Sequence, residues 1–340
     1  MTHEAFMQEA LDLAKQGQYT TLPNPMVGCV IVKNSQIIAR GFHQKYGAPH
    51  AEVYALREAK SEAQGATAYI TLEPCSHFGK TPPCADALIQ AGISEVYIAM
   101  QDPNPLVAGR GIQKLQDAGI NVNVGLLENE AKALNQVFCH YITHKTPYIV
   151  AKWAMSLDGQ MITQAGDTKT LSSDKSLQDL HLLRQRLPAI LIGSETARID
   201  NPSLTARYEP VLHQPQRIVL NSKANLPKNL KLFDGSLPGK TWLICAEDAA
   251  PDYPSHTTEI IHCKTLKNQI DLPTLMQILG ELQISGILVE GGRTVLNSFF
   301  QANLVNEVTT YITPWIIGNG LKKIRIPKLE DVKLNAVIKE

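Results

Sequence analysis

The residue types best suited to chemistry lie between positions 50 and 84. One residue separates His50 from Glu52, Cys75 follows Pro74, and Cys84 comes nine positions after Cys75. An imidazole and two thiolates are suitable Zn²⁺ ligands, and three protein ligands leave the fourth tetrahedral position open for water. Bound zinc lowers the pKa of that water to about 7. The pattern therefore predicts a catalytic zinc site in which Glu52 moves a proton without binding the metal and the ligands are His50, Cys75 and Cys84.

Other interpretations of these residues stay open. Cys75 and Cys84 could be ordinary buried thiols, with His50 a surface residue at a helix start. His77 is near enough to be the fourth ligand of a purely structural zinc site. In a non-enzymatic zinc-stabilised protein, removing the metal should unfold the domain rather than silence it.

Helix and strand signals alternate around these residues. His50 and Glu52 fall at the start of one predicted helix, and Cys84 falls in the first turn of another. The partial positive charge of a helix N-terminus favours a thiolate there. Alternating elements imply an α/β layered domain, and the elements predicted in it are a helix at 3–17, a hairpin over 27–39, a strand at 67–72, a strand at 95–100 and a helix at 111–118.

The pattern is interrupted by the polar segment 143–147 (THKTP), which we take as the linker between two domains, 1–145 and 146–340. The second stretch is again α/β. A glycine turn at Gly291 and Gly292 follows a predicted strand and precedes a helix. Free backbone N–H groups at such a turn favour a phosphate. The elements predicted here are strands at 148–155, 189–193, 217–220, 242–245 and 286–290, and helices at 173–186, 271–282 and 295–300.

Composition excludes several classes. The 340 residues carry 32 Lys+Arg against 32 Asp+Glu, so no net field draws in a nucleic acid or a membrane surface. No apolar run approaches the roughly 18 residues that span a bilayer, and the N-terminus lacks the features of a signal peptide. We therefore expect a cytoplasmic protein without structural disulfides, its six cysteines being scattered over a long chain.

With these residues in view, the first half resembles the riboflavin-biosynthesis deaminases. The similarity rests on residues 24–28 (NPMVG), 50–52 (HAE), 73–84 (EPCSHFGKTPPC) and 102–105 (DPNP). The zinc nucleobase deaminases in general share the H-x-E and P-C-x-x-C pattern, and here the second half is stretched to P-C-x₈-C. The resemblance implies a three-layer α/β/α cytidine-deaminase-like fold and these substrate-site residues: Asn24, which holds the pyrimidine, and His43, His77, Lys80 and Asn104.

The second half resembles the riboflavin-pathway reductases, which have a dihydrofolate-reductase-like α/β fold. The similarity rests on residues 152–159 (KWAMSLDG), 193–207 and 289–292 (VEGG). It implies an NADPH site formed by Ala154, Thr170, Thr196, Asp200, Ser222, Gly292, Arg293, Thr294, Val295, Leu296, Asn297 and Ser298. It implies a substrate site formed by Thr168, Arg184, Leu204, Arg207 and Glu290. Physically, the guanidinium groups of Arg184 and Arg207 suit a ribose phosphate, and Asp200 or Glu290 positions the sugar.

Together the two halves resemble the bifunctional deaminase–reductases of riboflavin biosynthesis. The implied first substrate is 2,5-diamino-6-ribosylamino-4(3H)-pyrimidinone 5′-phosphate. Zinc-dependent hydrolysis would remove its 2-amino group, and NADPH would then reduce the ribosyl to a ribityl chain. The expected partners are this small molecule and further copies of the chain, as a homodimer or larger, with no nucleic acid and no membrane.

Two departures from the family motivate an alternative. Many relatives carry Trp where this chain has Thr170, and the segment after Gly318 is short, through a shortened loop or a missing stretch. The alternative is an active deaminase whose second half only binds or oligomerises. A nucleic-acid editing deaminase is disfavoured by the net charge and by the added domain.

Overall fold

The chain divides into two compact units, Met1–His144 and Lys145–Glu340. The computed structural model describes residues 1–76, 83–105, 107–161, 172–318, 324–325 and 332–337. The helix α6, Gln136–His144, runs to the boundary. Two of the five residues of the predicted linker, Thr143 and His144, therefore belong to this helix. Among the described residues, none of the helices is both long and apolar enough to cross a membrane.

In the first unit, helices alternate with the strands of a sheet. The strands are β1 Gly28–Lys33, β2 Gln36–Phe42, β3 Thr67–Leu72, β4 Glu95–Met100 and β5 Asn121–Val124. The sheet has the order β2-β1-β3-β4-β5. β1 pairs antiparallel with β2 and β3, whereas β3, β4 and β5 are parallel. The helices before α6 are α1 His3–Ala14, α2 Ala51–Ala59, α3 Cys84–Gln90, α4 Arg110–Asp117 and α5 Glu128–Leu134.

The helices cover both faces of this sheet. Successive strand residues point to opposite faces, so Cys29 and Ile31 pack in one apolar cluster and Val30 in another. The first cluster includes residues of α2, α3 and α4, and the second includes residues of α1 and α5. The result is a three-layer α/β/α unit whose parallel strands end on one edge.

Local sequence explains where the helices that carry the chemistry begin. His50 is the N-cap of α2 and keeps an extended backbone, with φ −75° and ψ 167°. Pro83 precedes α3, where its fixed φ of −58° leads into the first turn at Cys84. Both side chains therefore sit at helix N-termini, as predicted.

The second unit is built on a larger sheet. Its main strands are β6 Tyr148–Ser156, β7 Ala189–Gly193, β8 Gln216–Leu220, β9 Thr241–Ala246, β10 Thr258–Cys263, β13 Gly286–Val289, β14 Glu307–Thr313 and β17 Val332–Val337. The order is β10-β9-β8-β7-β13-β6-β14-β17. All these pairs are parallel except β14 with β17. Ligands of such sheets bind beyond the carboxyl ends of the strands.

Helices and short hairpins complete the second unit. The helices are α7 Asp174–Arg186, α8 Ser194–Asp200, α9 Leu272–Glu281 and α10 Arg293–Gln301. The short strands are β11 Thr265–Leu266, β12 Gln269–Ile270, β15 Trp315–Ile316 and β16 Ile324–Arg325. The alternation of strands and helices predicted from the sequence is confirmed in both units. Sequence patterns did not predict β5, α5, α6, α8, the strands β10–β12 or the strands β14–β17.

Candidate active sites

Three elements of the first unit bring the predicted metal ligands together. Cys75 follows the carboxyl end of β3, while His50 and Cys84 stand at the N-termini of α2 and α3. His50 Nδ1 lies 3.2 Å from Cys84 Sγ and 3.6 Å from Cys75 Sγ. The three ligand atoms are all within 4.8 Å of one another. Residues up to 34 positions apart in sequence thus form one cluster.

The cluster fits a tetrahedral zinc ion. With Zn–N near 2.0 Å and Zn–S near 2.3 Å, a nitrogen and a sulfur ligand should lie about 3.5 Å apart. The observed separations of 3.2 and 3.6 Å bracket that value. Hydrogen bonds from the Cys84 thiol and the His50 ring also hold the pKa of the Cys75 thiol well below its ordinary value. A ready thiolate is what a zinc ligand requires.

Glu52 faces this cluster from the first turn of α2. Burial raises the pKa of its carboxyl to about 7. Its Oε2 atom is buried and has no hydrogen-bond partner among the described residues. A buried polar oxygen without a partner is uncommon in proteins and requires an explanation. Here the atom is placed to bond a water or a substrate group beside the metal ligands.

A cavity of about 280 Å³ opens over the cluster and has two kinds of wall. Asn24, His43 and Asn104, which the resemblance assigned to the substrate, all line it. The apolar wall is formed by Pro25, Val27, Leu72, Val107, Phe138 and Ile142. A cavity lined by both polar and apolar groups suits a flat heterocycle. His77 and Lys80, the other predicted contacts, lie outside the described residues.

Several wall residues escaped sequence reasoning. Phe138 and Ile142 are one helical turn apart on α6, a spacing that predicts a helix face but not the cavity that it faces. Glu73 and Asp102 also line the cavity. Both belong to motifs recognised in the sequence, yet nothing in their spacing gave them a role.

In the second unit, a cavity of about 210 Å³ lies at the N-terminus of α10. Six of the predicted cofactor residues line it, namely Thr196, Ser222, Gly292, Thr294, Val295 and Ser298. The glycine turn has no room for side chains, because a Cβ on Gly291 would lie 2.7 Å from the Cβ of Val295. The hairpin of β11 and β12 adds Asn268, Gln269 and Ile270, which were not predicted.

The other predicted cofactor residues are not part of that wall. Leu296 is buried in the core of the second unit, since it lies on the opposite side of α10 from Ser298. The wall also does not include Ala154, Asp200, Arg293 or Asn297. Thr168 and Thr170 lie outside the described residues.

Charged groups of the predicted reductase substrate site form a buried pair. The Nε and Nη2 atoms of Arg184 donate to the two carboxylate oxygens of Glu290 over 2.8 and 2.9 Å, and Nη1 donates to the carbonyl of Thr205. Burial alone would raise the pKa of Glu290, but the charge and hydrogen bonds of Arg184 outweigh it and the pKa is lowered. Glu290 is therefore ionised at neutral pH.

Two more residues surround this pair. Lys152 is held over the ring of Tyr311, with its Nζ 5.5 Å from the ring centre, and burial lowers its pKa. Arg207 is exposed, and its Nη1 donates to Thr205 Oγ1 over 3.0 Å. Of the two arginines predicted for a phosphate, Arg207 has the freer guanidinium, because the fork of Arg184 already holds Glu290. Leu204, also predicted, is buried nearby in the chain with a φ of +51°.

The first unit thus combines a three-layer fold with the ligand set and carboxylate typical of a zinc deaminase, and the second has a cavity at a helix N-terminus beside a glycine turn. Two family models match the chain in that order. The cytidine and deoxycytidylate deaminase zinc-binding region matches residues 1–100. The RibD C-terminal domain matches residues 147–339.

Full-length relatives and solved structures agree. Riboflavin biosynthesis protein RibD of Escherichia coli K12 is 43% identical over 343 residues, covering 97% of this chain and 93% of that protein. RibD of Aquifex aeolicus is 40% identical, covering 98% and 96%. The structure of Acinetobacter baumannii RibD has a TM-score of 0.86 at 36% identity and covers 99% of each chain. The structure of a Thermotoga maritima diaminohydroxyphosphoribosylaminopyrimidine deaminase/5-amino-6-(5-phosphoribosylamino)uracil reductase has a TM-score of 0.84 at 38% identity and covers 94% and 88%.

The chain belongs to the RibD family of riboflavin biosynthesis proteins. It is a bifunctional enzyme, a zinc-dependent deaminase joined to an NADPH-dependent reductase. The predicted cytidine-deaminase-like and dihydrofolate-reductase-like folds are confirmed. The alternative of a second half that only binds or oligomerises is disfavoured by a reductase-domain match over its whole length.

Proposed function

We propose that residues 1–145 hydrolyse 2,5-diamino-6-ribosylamino-4(3H)-pyrimidinone 5′-phosphate and that residues 146–340 reduce the product. Water replaces the 2-amino group of the ring, which leaves as ammonia and gives a 5-amino-6-ribosylaminouracil phosphate. Hydride addition at C1′ of the ribose, with one proton, then opens the sugar to a ribityl chain. The Thermotoga maritima relative is named for the same pair of activities, a deaminase and a reductase.

In the first unit, His50, Cys75 and Cys84 would hold the zinc. When bound, zinc lowers the pKa of a coordinated water and so supplies a nucleophile at neutral pH. Glu52 accepts a proton of the attacking water at Oε2, which has no partner within the described part of the chain, and returns it to the departing amine. A carboxyl with a pKa near 7 suits both transfers.

The walls of the first cavity would orient the ring. Asn24 bonds the pyrimidine edge, while Phe138 and Ile142 pack against its face and exclude water. His43 and Asn104 complete the polar wall. The family resemblance adds His77 and Lys80 near the ribose phosphate.

In the second unit, NADPH would supply the hydride from the cavity at the N-terminus of α10. The first-turn N–H groups of this helix bind an anionic cofactor group, beside Thr196 and Ser222. The remaining cofactor contacts that we propose from the resemblance are Ala154, Thr170, Asp200, Arg293, Asn297 and, through its backbone because its side chain is buried in the core, Leu296. Arg207 binds the substrate phosphate with Thr168, Leu204 and the remaining N–H groups of Arg184, and the ionised Glu290 positions the sugar.

We further propose that the enzyme works in the cytoplasm as a homodimer or larger oligomer. The six cysteines are free, as expected in a reducing compartment. The oligomer follows from the family resemblance.

The observation that carries the function is the cluster of His50, Cys75 and Cys84 beside a Glu52 oxygen that has no hydrogen-bond partner among the residues described. The test follows ammonia release and NADPH oxidation together on the diaminopyrimidine nucleotide, with CMP as the control substrate. We expect both signals on the diaminopyrimidine and neither on CMP. Ammonia without NADPH oxidation would show that the second unit is a binding module, and no ammonia would refute the deaminase assignment.

A further inference from the structure

Asn24 and His43 form a pair in the wall of the first cavity. Asn24 lies in the loop before β1, and His43 directly follows β2. The Asn24 amide nitrogen Nδ2 is 3.1 Å from His43 Nε2. The other ring nitrogen of His43, Nδ1, is 3.0 Å from the carbonyl oxygen of Pro49. Both nitrogens of the imidazole are therefore committed to protein partners.

These contacts fix the proton on the imidazole. A carbonyl oxygen can only accept a hydrogen bond, so Nδ1 must carry the hydrogen that it donates to Pro49. In the neutral ring, Nε2 then has a lone pair and no hydrogen. The partner of Nε2 must donate, and the amide NH₂ of Asn24 does so. The amide cannot be reversed without setting the Asn24 oxygen against the lone pair of His43.

The surrounding structure holds the imidazole in this orientation. The His43 side chain is buried, and the residue is 2% exposed. The ring meets the ring of His50 edge-on, with the centres 5.6 Å apart. The His43 backbone N–H donates to the carbonyl of Val27 over 2.9 Å. Because the His43 imidazole is held in one orientation, it determines the orientation of the Asn24 amide that bonds to it.

We propose that His43 is a positioning residue that makes Asn24 present its carbonyl oxygen, Oδ1, to the cavity as a hydrogen-bond acceptor. The inference rests on the proposed function of the first unit. The substrate group that the Asn24 oxygen recognises is then a ring N–H next to the carbon that loses its amine. A 4(3H)-pyrimidinone carries an N–H at N3, beside the 2-amino carbon. A cytosine ring instead has a lone pair at N3, beside its 4-amino carbon, and would face the Asn24 oxygen without a hydrogen.

This arrangement gives the first unit a basis for choosing between rings. A site built to bond a substrate N–H rejects analogues that lack it, because a buried polar group is then left unpaired. His43 would contribute to this choice without bonding the substrate through either of its nitrogens. The resemblance alone placed His43 among the residues that line the substrate, without this division of roles.

Two substitutions at position 43 separate the two hydrogen bonds of the imidazole. The shorter His43→Asn places an amide near Nδ1, so it can still donate to Pro49 but loses the bond to Asn24. The longer His43→Gln places its amide oxygen near Nε2, where it can accept from Asn24. Asn24→Ala and the double variant Asn24→Ala/His43→Asn complete the set. Ammonia release from the diaminopyrimidine nucleotide and from CMP gives kcat and KM for each full-length protein.

We expect His43→Asn to lower kcat/KM for the diaminopyrimidine about 10–100-fold, mainly through KM, as loss of one oriented hydrogen bond predicts. The same variant should also reduce the ratio of kcat/KM for the diaminopyrimidine to kcat/KM for CMP. His43→Gln should recover most of that loss. The double variant should be no worse than Asn24→Ala, because His43 acts through Asn24. Zinc content and NADPH oxidation of supplied deaminated product should be unchanged, which shows that both units are folded.

Three outcomes would overturn the proposal. His43→Asn with full kcat/KM would show that the bond to Asn24 has no effect. Equal losses in His43→Asn and His43→Gln, or losses that add in the double variant, would show that His43 acts independently of Asn24. A wild-type protein that releases no ammonia from the diaminopyrimidine would refute the proposed function itself, and this inference with it.

Discussion

At Glu52, burial raises the pKa of a carboxyl that lies two residues from the proposed metal ligand His50, and one of its oxygens has no partner among the described residues. Glu52→Gln keeps the shape but cannot carry a proton. We expect ammonia release to fall about 10²–10⁴-fold, the usual contribution of a general acid–base group. Steady-state assays and zinc analysis of the purified variant measure the effect.

The matched control for this variant is Glu62→Gln, an exposed residue in the turn that follows α2. It should release ammonia at the wild-type rate. Zinc content should stay the same in both variants, because neither side chain is a ligand. Ammonia release by Glu52→Gln within a few-fold of wild type would exclude Glu52 from proton transfer.

The pair of Arg184 and Glu290 gives a prediction about stability. Because the pKa of Glu290 is lowered from its ordinary value of 4.5, the pair stabilises the folded unit above that pH and loses this contribution as the pH falls through the folded-state pKa. Arg184→Met would leave a buried carboxylate without its partner, costing about 3–5 kcal/mol at pH 7. As the pH approaches 4, Glu290 takes up a proton in the variant and the difference should shrink.

Denaturant unfolding followed by tryptophan fluorescence measures this difference, since the three tryptophans, Trp153, Trp242 and Trp315, all lie in the second unit. Arg198→Met, at an exposed arginine of α8, is the control and should change stability by less than about 0.5 kcal/mol. A loss in Arg184→Met that is constant from pH 7 to pH 4 would contradict the assigned ionisation.

For individual residues, the sequence was a better guide to which side chains could do chemistry than to which side chains contact each other. That His50, Cys75 and Cys84 lie together could be predicted, because metal chemistry allows few residue types and spacings. The fork between Arg184 and Glu290 joins residues 106 positions apart, and no local pattern encodes it. Sequence reasoning therefore assigned both residues to substrate without seeing that they bond each other.

At the scale of elements, Glu73 connects β3 to the loop before α4. Its Oε1 accepts from the backbone of Gly111 over 2.9 Å, and its Oε2 accepts from Gly109 and Asp102 over 3.0 and 3.2 Å. Glu73 is buried and lies two residues before Cys75. The Glu73 carboxylate thus joins the segment after β3, which leads to Cys75, to the loop that carries Asn104.

Glu73→Gln tests this connection. An amide has one acceptor oxygen, so the donors at one of the two positions would lose their partner, at a cost of about 1–3 kcal/mol. We expect a KM for deamination about 10-fold higher and a less stable first unit, with zinc retained. Deamination kinetics and thermal unfolding measure these effects.

The control for Glu73→Gln is the exposed Glu130→Gln on α5, which should leave KM and stability unchanged. NADPH oxidation of supplied deaminated product should be normal in both variants, because Glu73 belongs to the first unit. An unchanged KM in Glu73→Gln would show that the loop is held by its other contacts.

Element prediction succeeded where periodicity was strong. β3 was predicted at its observed bounds, because six apolar and β-branched residues end at Glu73 and Pro74. The hairpin of β11 and β12 has only two residues in each strand. Such short strands have no period to detect, so their contribution to the second cavity had to come from the structure.

At the scale of the whole molecule, each site draws its described residues from one unit. The first cavity is lined within Met1–His144 and the second within Lys145–Glu340. The sequence predicts the division between residues 145 and 146, because the strand and helix pattern restarts there after the polar segment. How each half forms its cavity was not predictable, since wall residues such as Phe138 and Gln269 lie outside every motif.

This division predicts what a zinc chelator does to the intact enzyme. Ammonia release should stop, since His50, Cys75 and Cys84 would hold no metal. NADPH oxidation should stop when the diaminopyrimidine is the substrate, because no deaminated product forms. It should continue at the untreated rate when that product is supplied directly, and tryptophan fluorescence should not change. Added zinc should restore ammonia release, which distinguishes loss of metal from denaturation. A chelator that also abolished reduction of the supplied product would show that the second unit depends on the metal of the first.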